Sequence, residues 1–359
     1  MQIINKLLRL QKVYIFFISF VLFIIIFSTT YLHANSFKVS DIEISSPFSL
    51  NFNKNRAIDK GFQKSFSNLL TMITTSGDKN KIKNTPIKEI KTMIDSFTIS
   101  SERFINNEYF ATLETTFSKK NILKFLEQKN IFPSMPIKNN VLLLPILVDI
   151  ETDNIYLFND NIFYRNWNNE NKNYQLLNYL LPSEDLEDLN KIQEISKSID
   201  SYDFSKLIAK YDLEDYIISI IYKSQNEVKI LSKINLNNSF KVYNHKYSEI
   251  NLDDSKDFQK VLENLKIIYE DYWKKNNEIN TSIKLPLTIS IDSRNHKKIM
   301  QLEETFNISD LISDFYILKF DSETIQYRVV FNGSPKNFLT TMNKNNFDLD
   351  MKNKIWIIR

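Results

Sequence analysis

Apolar positions along this chain recur with two periods, one near 3.6 and one of 2, and the switches between them mark out its elements. Ile58, Phe62, Phe66, Leu69, Leu70 and Ile73 follow spacings of three and four, which predicts an amphipathic helix over about 54–75 with Gly77 as its stop. Upstream, Phe37 to Ile44 alternates imperfectly, with Phe37, Val39 and Asp41 set against Lys38, Ser40 and Ile42. Downstream, 94–100 and 108–117 read as strands, the second placing Tyr109, Ala111, Leu113, Thr115 and Phe117 on one face. Ile122, Phe125 and Leu126 predict a helix from Lys119 to Gln128, and Pro133 and Pro136 then punctuate a linker. These elements define a first α+β domain over 36–130.

A second domain is expected over 140–278. Val141 to Val148 is a continuous apolar run, as in a strand buried on both faces. Ser183, followed by Glu184 and Asp185, reads as a helix N-cap with acids in the first turn. Tyr216–Tyr222, Glu227–Ile234 and Phe240–Tyr247 predict an antiparallel meander, and a helix over 256–276 carries Phe258, Val261, Leu262, Leu265, Ile268, Tyr269 and Tyr272. Residues 284–359 read as β-α-β-β-α-β. Ser293 caps the first of these helices and Ser334-Pro335 starts the second, while Phe347–Leu349 and Ile355–Ile358 close the sheet. That order is the ferredoxin-like pattern. The expected fold is therefore a mixed α+β or α/β chain of three small domains.

Ahead of them, Lys6, Arg9 and Lys12 precede a run from Val13 to Phe27 that is apolar except for Ser19, followed by Leu32-His33-Ala34. This is the order of a secretory signal, and it predicts an exported chain cleaved after Ala34. As a helix the run spans about 22 Å, short of the roughly 30 Å of a bilayer core. Counted on to Leu32 it suffices for a retained anchor. Both forms place the C-terminal bulk across the membrane, in the periplasm.

Charge adds little to this picture. The chain has 46 basic and 43 acidic residues, and the three basic residues of 1–34 account for the whole excess. No basic stripe remains to suggest a nucleic-acid partner. There is no cysteine, which excludes disulfides and thiol chemistry. The glycines are Gly61, Gly77 and Gly333 alone, too far apart for a phosphate-binding loop, a dinucleotide fingerprint or a G-x-S-x-G elbow. The histidines are His33, His245 and His296, the last two in different domains, which argues against a zinc site. No cofactor, metal or catalytic residue is expected.

Two groups of side chains remain as candidates. Phe163, Tyr164 and Trp167 form an aromatic stretch that either lines a ligand or partner surface or anchors a loop to the core. Glu184, Asp185, Glu187 and Asp188 cluster as acids could in a glycosidase, although a helix start accounts for them equally well.

Several motifs, taken in order, resemble those of the exported bacterial proteins grouped as domain of unknown function 2066. They are Arg56-Ala57, Gly61 and Leu69-Leu70 on the long helix; Phe97 to Glu102; Tyr109 to Phe117; Leu144-Pro145; Trp167; Leu181-Pro182; and a late Trp356. The resemblance covers nearly all of the chain beyond the signal and carries no catalytic residues. The absent chemistry and the signal lead to a non-enzymatic interaction or assembly module of the envelope, partnered by another envelope protein and by the membrane if the anchor is retained. A carboxylate-dependent envelope hydrolase, or a small-molecule or lipid binder with a cavity beside Trp167, are the alternatives.

Overall fold

A computed structural model describes residues 37–169, 174–279, 283–309, 311–351 and 355–359. The predicted signal or anchor over 1–34 lies outside the described residues. Among those described, no helix is long and apolar enough to cross a membrane. The fold is mixed α+β, with three sheets that each gather their own apolar core within one compact unit.

The first part runs β1 (Lys38–Pro47), α1 (Lys54–Ile73), α2 (Lys79–Ile82), α3 (Ile87–Thr92), β2 (Ile94–Ile105), β3 (Glu108–Phe117) and α4 (Lys119–Gln128). Its antiparallel sheet has the order β1-β3-β2. The imperfect alternation of β1 has a geometric cause. Asp41 takes a left-handed φ of 58°, and the register with β3 shifts between Val39 and Ile42. This bulge turns Phe37, Val39, Ile42 and Ile44 all toward the core. Helix α1 stops at Thr74, earlier than the predicted Gly77, because Thr74 is extended while its N–H and hydroxyl both bond the Leu70 carbonyl.

Gly61 sets how closely α1 approaches the sheet. A Cβ there would lie 2.8 Å from Leu113 Cδ1 and 3.3 Å from Ile44 Cγ2, both in the core. Gly61→Val should therefore overpack the helix–sheet contact and destabilise by about 1–3 kcal/mol. A lowered urea midpoint with an unchanged m-value would register this; an unchanged midpoint would refute it.

The middle part comprises β4 (Asn139–Asp149), β5 (Asn154–Tyr156), α5 (Ile162–Asn166), β6 (Leu177–Leu180), α6 (Leu186–Glu194), α7 (Ser205–Ile208), β7 (Tyr216–Lys223), β8 (Glu227–Leu236), β9 (Ser239–Ser248) and α8 (Ser255–Asn276). Strand β4 pairs parallel with β7 and β6 and antiparallel with β5, and β7-β8-β9 form the meander. The apolar run of β4 serves both faces. Val141, Leu143 and Leu147 join a core that includes α8, while Leu144, Ile146 and Val148 join Ile192, Ile199 and Phe204 on the other side. Helix α6 is capped by Asp185, not Ser183; its carboxylate accepts from the N–H groups of Glu187 and Asp188.

The last part comprises β10 (Lys284–Asp292), α9 (His296–Ile308), β11 (Ile312–Phe320), β12 (Thr324–Asn332), α10 (Pro335–Lys344), β13 (Leu349–Asp350) and β14 (Ile355–Ile358). Asn295 caps α9 in place of Ser293, whose hydroxyl donates instead to the Ser322 carbonyl. Ser334 caps α10, with Pro335 in its first turn. The sheet order is β11-β12-β10-β14-β13. The first five elements follow the ferredoxin-like order, but β14 runs parallel to β10 where that fold requires an antiparallel strand. The reversal arises because the chain leaving α10 first lays β13 along the edge, then returns as β14 between β13 and β10.

Candidate functional site

The aromatic stretch is not a surface. Asn161 caps α5 with its Oδ1, and its buried amide donates to the Pro145 and Tyr156 carbonyls, which pins the helix onto β4. From there Phe163 and Trp167, one turn apart, point into the same core and are fully buried. Phe163 meets Phe258 at 5.0 Å, and the Trp167 ring stacks on Tyr269 and meets Tyr179 edge-on. Tyr164 points to the opposite core and donates its hydroxyl to the Pro182 carbonyl. The three side chains diverge into two cores, which is the loop-anchoring alternative rather than the ligand surface.

The acidic cluster is similarly occupied. Lys210 Nζ bridges Asp185 and Asp188 at 2.8 and 2.7 Å, Glu187 pairs with Lys191, and Glu184 accepts from the Asn159 N–H. Cation contacts hold the carboxyls of Asp185 and Glu187 below their ordinary range, the reverse of what a general acid requires. His245 lies on β9 between Tyr243 and Tyr247, and His296 is exposed at the start of α9; the structure does not bring them together with the acids.

Two other features have the form of sites. The first is a cleft of about 440 Å³ between α1, the segment that follows it, and α8. Its walls include Phe66, Leu70, Ile82 and Leu262, and α8 contributes Lys266, Glu270 and Lys274 at successive turns. Glu270 is 6% exposed and Lys274 5%. Glu270 Oε1 accepts from the Leu176 and Leu177 N–H groups at 2.9 and 2.8 Å, and its Oε2 has no hydrogen-bond partner among the described residues. Burial pushes this carboxyl above its ordinary range, opposed by the Lys274 charge and the two N–H groups. Lys274 Nζ donates to the Thr71 carbonyl at 2.7 Å, and burial lowers its affinity for the proton. Asp271, on the rim, accepts from the N–H and hydroxyl of Ser76. Sequence reasoning missed this group. The available signal was a charged row at i, i+4 and i+8 beside the apolar face of α8.

The second feature is an open sheet edge. Among the described residues β11 pairs only with β12, and it is the most apolar edge of the three sheets. Its exposed side chains include Tyr316, Ile317, Leu318 and Phe320, the last 68% exposed. The other long edges interrupt their exposed apolar side chains with more polar ones: β9 sets Lys241, Asn244 and Lys246 beside Phe240 and Val242, and β2 sets Asp95, Ser96, Ser100, Ser101 and Glu102 beside Phe97, Phe104 and Ile105. Natural sheets usually charge, shorten or cover an apolar edge, because its free N–H and C=O groups can template another strand.

No protein-family model matches this chain, and no curated protein matches it. The resemblance to domain of unknown function 2066 therefore rests on the ordered motifs alone.

Proposed function

We propose that this protein is a non-enzymatic interaction or assembly module of the bacterial envelope, related to the domain of unknown function 2066 proteins, that takes up an extended segment of a partner along β11. The observation that carries the reading is the apolar open edge of β11. Strand addition there would satisfy the outward backbone groups and cover Tyr316, Ile317, Leu318 and Phe320, giving affinity through the main chain and selectivity through side chains. The basic-apolar N-terminal segment supports placement in the periplasm, either free or anchored in the inner membrane.

Affinity capture from intact, cross-linked envelopes tests this. Ile317→Lys combined with Phe320→Lys alters exposed positions, so stability should change by no more than about 0.5 kcal/mol. The captured envelope protein should be lost with the melting temperature held. Undiminished capture by the double variant, or no partner for the parent chain, would sink the reading.

A second reading, small-molecule binding, is supported by the cleft beside Glu270 rather than by Trp167. Its size falls within the range of organic-ligand sites, and it mixes apolar walls with a few placed polar groups. The hydrolase reading has no comparable support, since each acid of the 184–188 cluster already has a structural partner.

A further inference from the structure

We propose that the strand β11 takes up is β11 of a second copy of this chain, paired antiparallel about a two-fold axis through Tyr316. This rests on the strand-addition reading and names its occupant. Each β11 side chain shares the face of the β12 residue opposite it. Phe315, Ile317 and Phe320 stand opposite Val329, Tyr327 and Ile325, whose side chains are buried beneath α9 and α10. Asp314, Tyr316 and Lys319 stand opposite Val330, Arg328 and Gln326, on the other face. Strict alternation would put Asp314 and Lys319 on opposite faces, five residues apart. The register shift between Ile317 and Lys319 leaves Leu318 as an extra residue and returns Lys319 to the face of Asp314.

The outcome is a strand whose outer edge complements itself. In an antiparallel pair related by a two-fold axis perpendicular to the sheet, directly opposed residues must share a face. With the axis at Tyr316, Asp314 of each copy opposes Lys319 of the other, so the ion pair forms twice. Phe315 opposes Ile317 twice, and the two Tyr316 side chains meet at the centre. Opposite charges and aromatic–aliphatic pairs at facing positions are the favourable cross-strand combinations. Moving the axis to Ile317 would bring Asp314 toward Asp321 of the other copy, placing like charges together. The register is thus selected by charge. Lys319 now lies 2.9 Å from its own Asp321 in an exposed pair, which costs little to share or exchange. The pairing would join two five-stranded sheets into one and remove both open edges.

The chain has no cysteine, so a single introduced thiol reports its own neighbours. Facing Cα atoms of antiparallel strands lie about 4.5 or 5.5 Å apart, and both separations fall within disulfide range. The full chain carrying Tyr316→Cys should form a disulfide-linked dimer under mild oxidation with copper-phenanthroline. Thr340→Cys, exposed on α10, should remain monomeric. In the Tyr316→Cys background, Asp314→Lys or Lys319→Asp alone should reduce the dimer about tenfold, and the two together should restore it, since the swapped charges again oppose. A monomeric Tyr316→Cys chain, or a double reversal no better than either single one, would overturn self-pairing. If self-pairing fails while Ile317→Lys with Phe320→Lys still abolishes capture of an envelope protein, the edge serves another partner. If both experiments fail, strand addition at β11 falls with it.

Discussion

Replacing Lys274 with methionine is expected to destabilise the protein by about 3–5 kcal/mol at neutral pH, more than any change to its exposed charges. The reason is the company Lys274 keeps. It lies one helical turn from Glu270, both are nearly inaccessible to solvent, and the ammonium is the principal charge offsetting that of the buried carboxylate. Removing one member of a buried pair leaves the other uncompensated, which costs far more than the pair contributes when intact. The substitution also removes the donor to the Thr71 carbonyl, a bond that ties the end of α8 to α1. Glu270→Gln added to Lys274→Met separates these effects. The glutamine carbonyl can still accept from the Leu176 and Leu177 N–H groups, while the buried charge is gone. The double variant should recover more than half of the loss in urea unfolding. If Lys274→Met alone costs under about 1 kcal/mol, the two charges are not coupled as argued.

The sign of the pH dependence follows from the same geometry. Glu270 has a folded-state proton affinity above its ordinary value of 4.5. Between that value and the folded one, the native chain binds more protons than the unfolded chain, so this group's contribution to stability falls as pH rises. Taking away the Lys274 charge raises the carboxyl further and widens that window. The deficit of Lys274→Met should therefore be smallest near pH 4 and grow toward pH 8. Lys274 acts oppositely at the alkaline end. Its folded value lies below 10.5, so parent stability gains as pH rises through the interval up to 10.5, and the methionine variant should lack that gain. A deficit independent of pH would assign the whole effect to packing and to the Thr71 bond.

The contrast between what was and was not legible has a physical basis. The long helices were readable because each buries one continuous stripe against its own sheet, and β4 because it is apolar on both faces. The faces of α1 and of β3 follow from spacing alone. Departures occurred where a local device overrides the period: the left-handed Asp41 in β1, and the extra Leu318 in β11. The direction of β14 depends on two residues of β13 reaching the sheet edge first, which no periodicity encodes. Caps shifted by two residues at α6 and α9 because several neighbouring polar side chains could each bond the free N–H groups. Glu270 and Lys274 looked like solvated helix positions. They are buried only because α1 and β6 arrive from elsewhere in the chain, and tertiary contact of that kind leaves no local mark. The outermost place of β11 is the one that the ferredoxin-like order gives its second strand.

The aromatic stretch yields the second large effect, and it separates a core anchor from a binding surface. Trp167→Ala is expected to destabilise by about 3–5 kcal/mol, the range for truncating a fully buried tryptophan. Its ring stacks on Tyr269 at 6.0 Å and meets Tyr179 at 5.4 Å, with Phe163 one turn earlier on the same helix. Alanine would leave a cavity between α5, β6 and α8 that those rigid rings cannot fill by small movements. Trp167→Phe should cost far less. The Trp167 Nε1 is buried with no hydrogen-bond partner among the described residues, so phenylalanine keeps much of the apolar contact and removes a donor whose burial is itself unfavourable. The expected order of urea midpoints is parent, then Phe, then Ala, with Phe within about 1–2 kcal/mol of the parent. A surface aromatic that served only a ligand would give the opposite profile: both variants would keep the parental midpoint, and only binding would change. An unchanged midpoint for Trp167→Ala would therefore return this residue to the surface and reopen the ligand reading of Phe163, Tyr164 and Trp167.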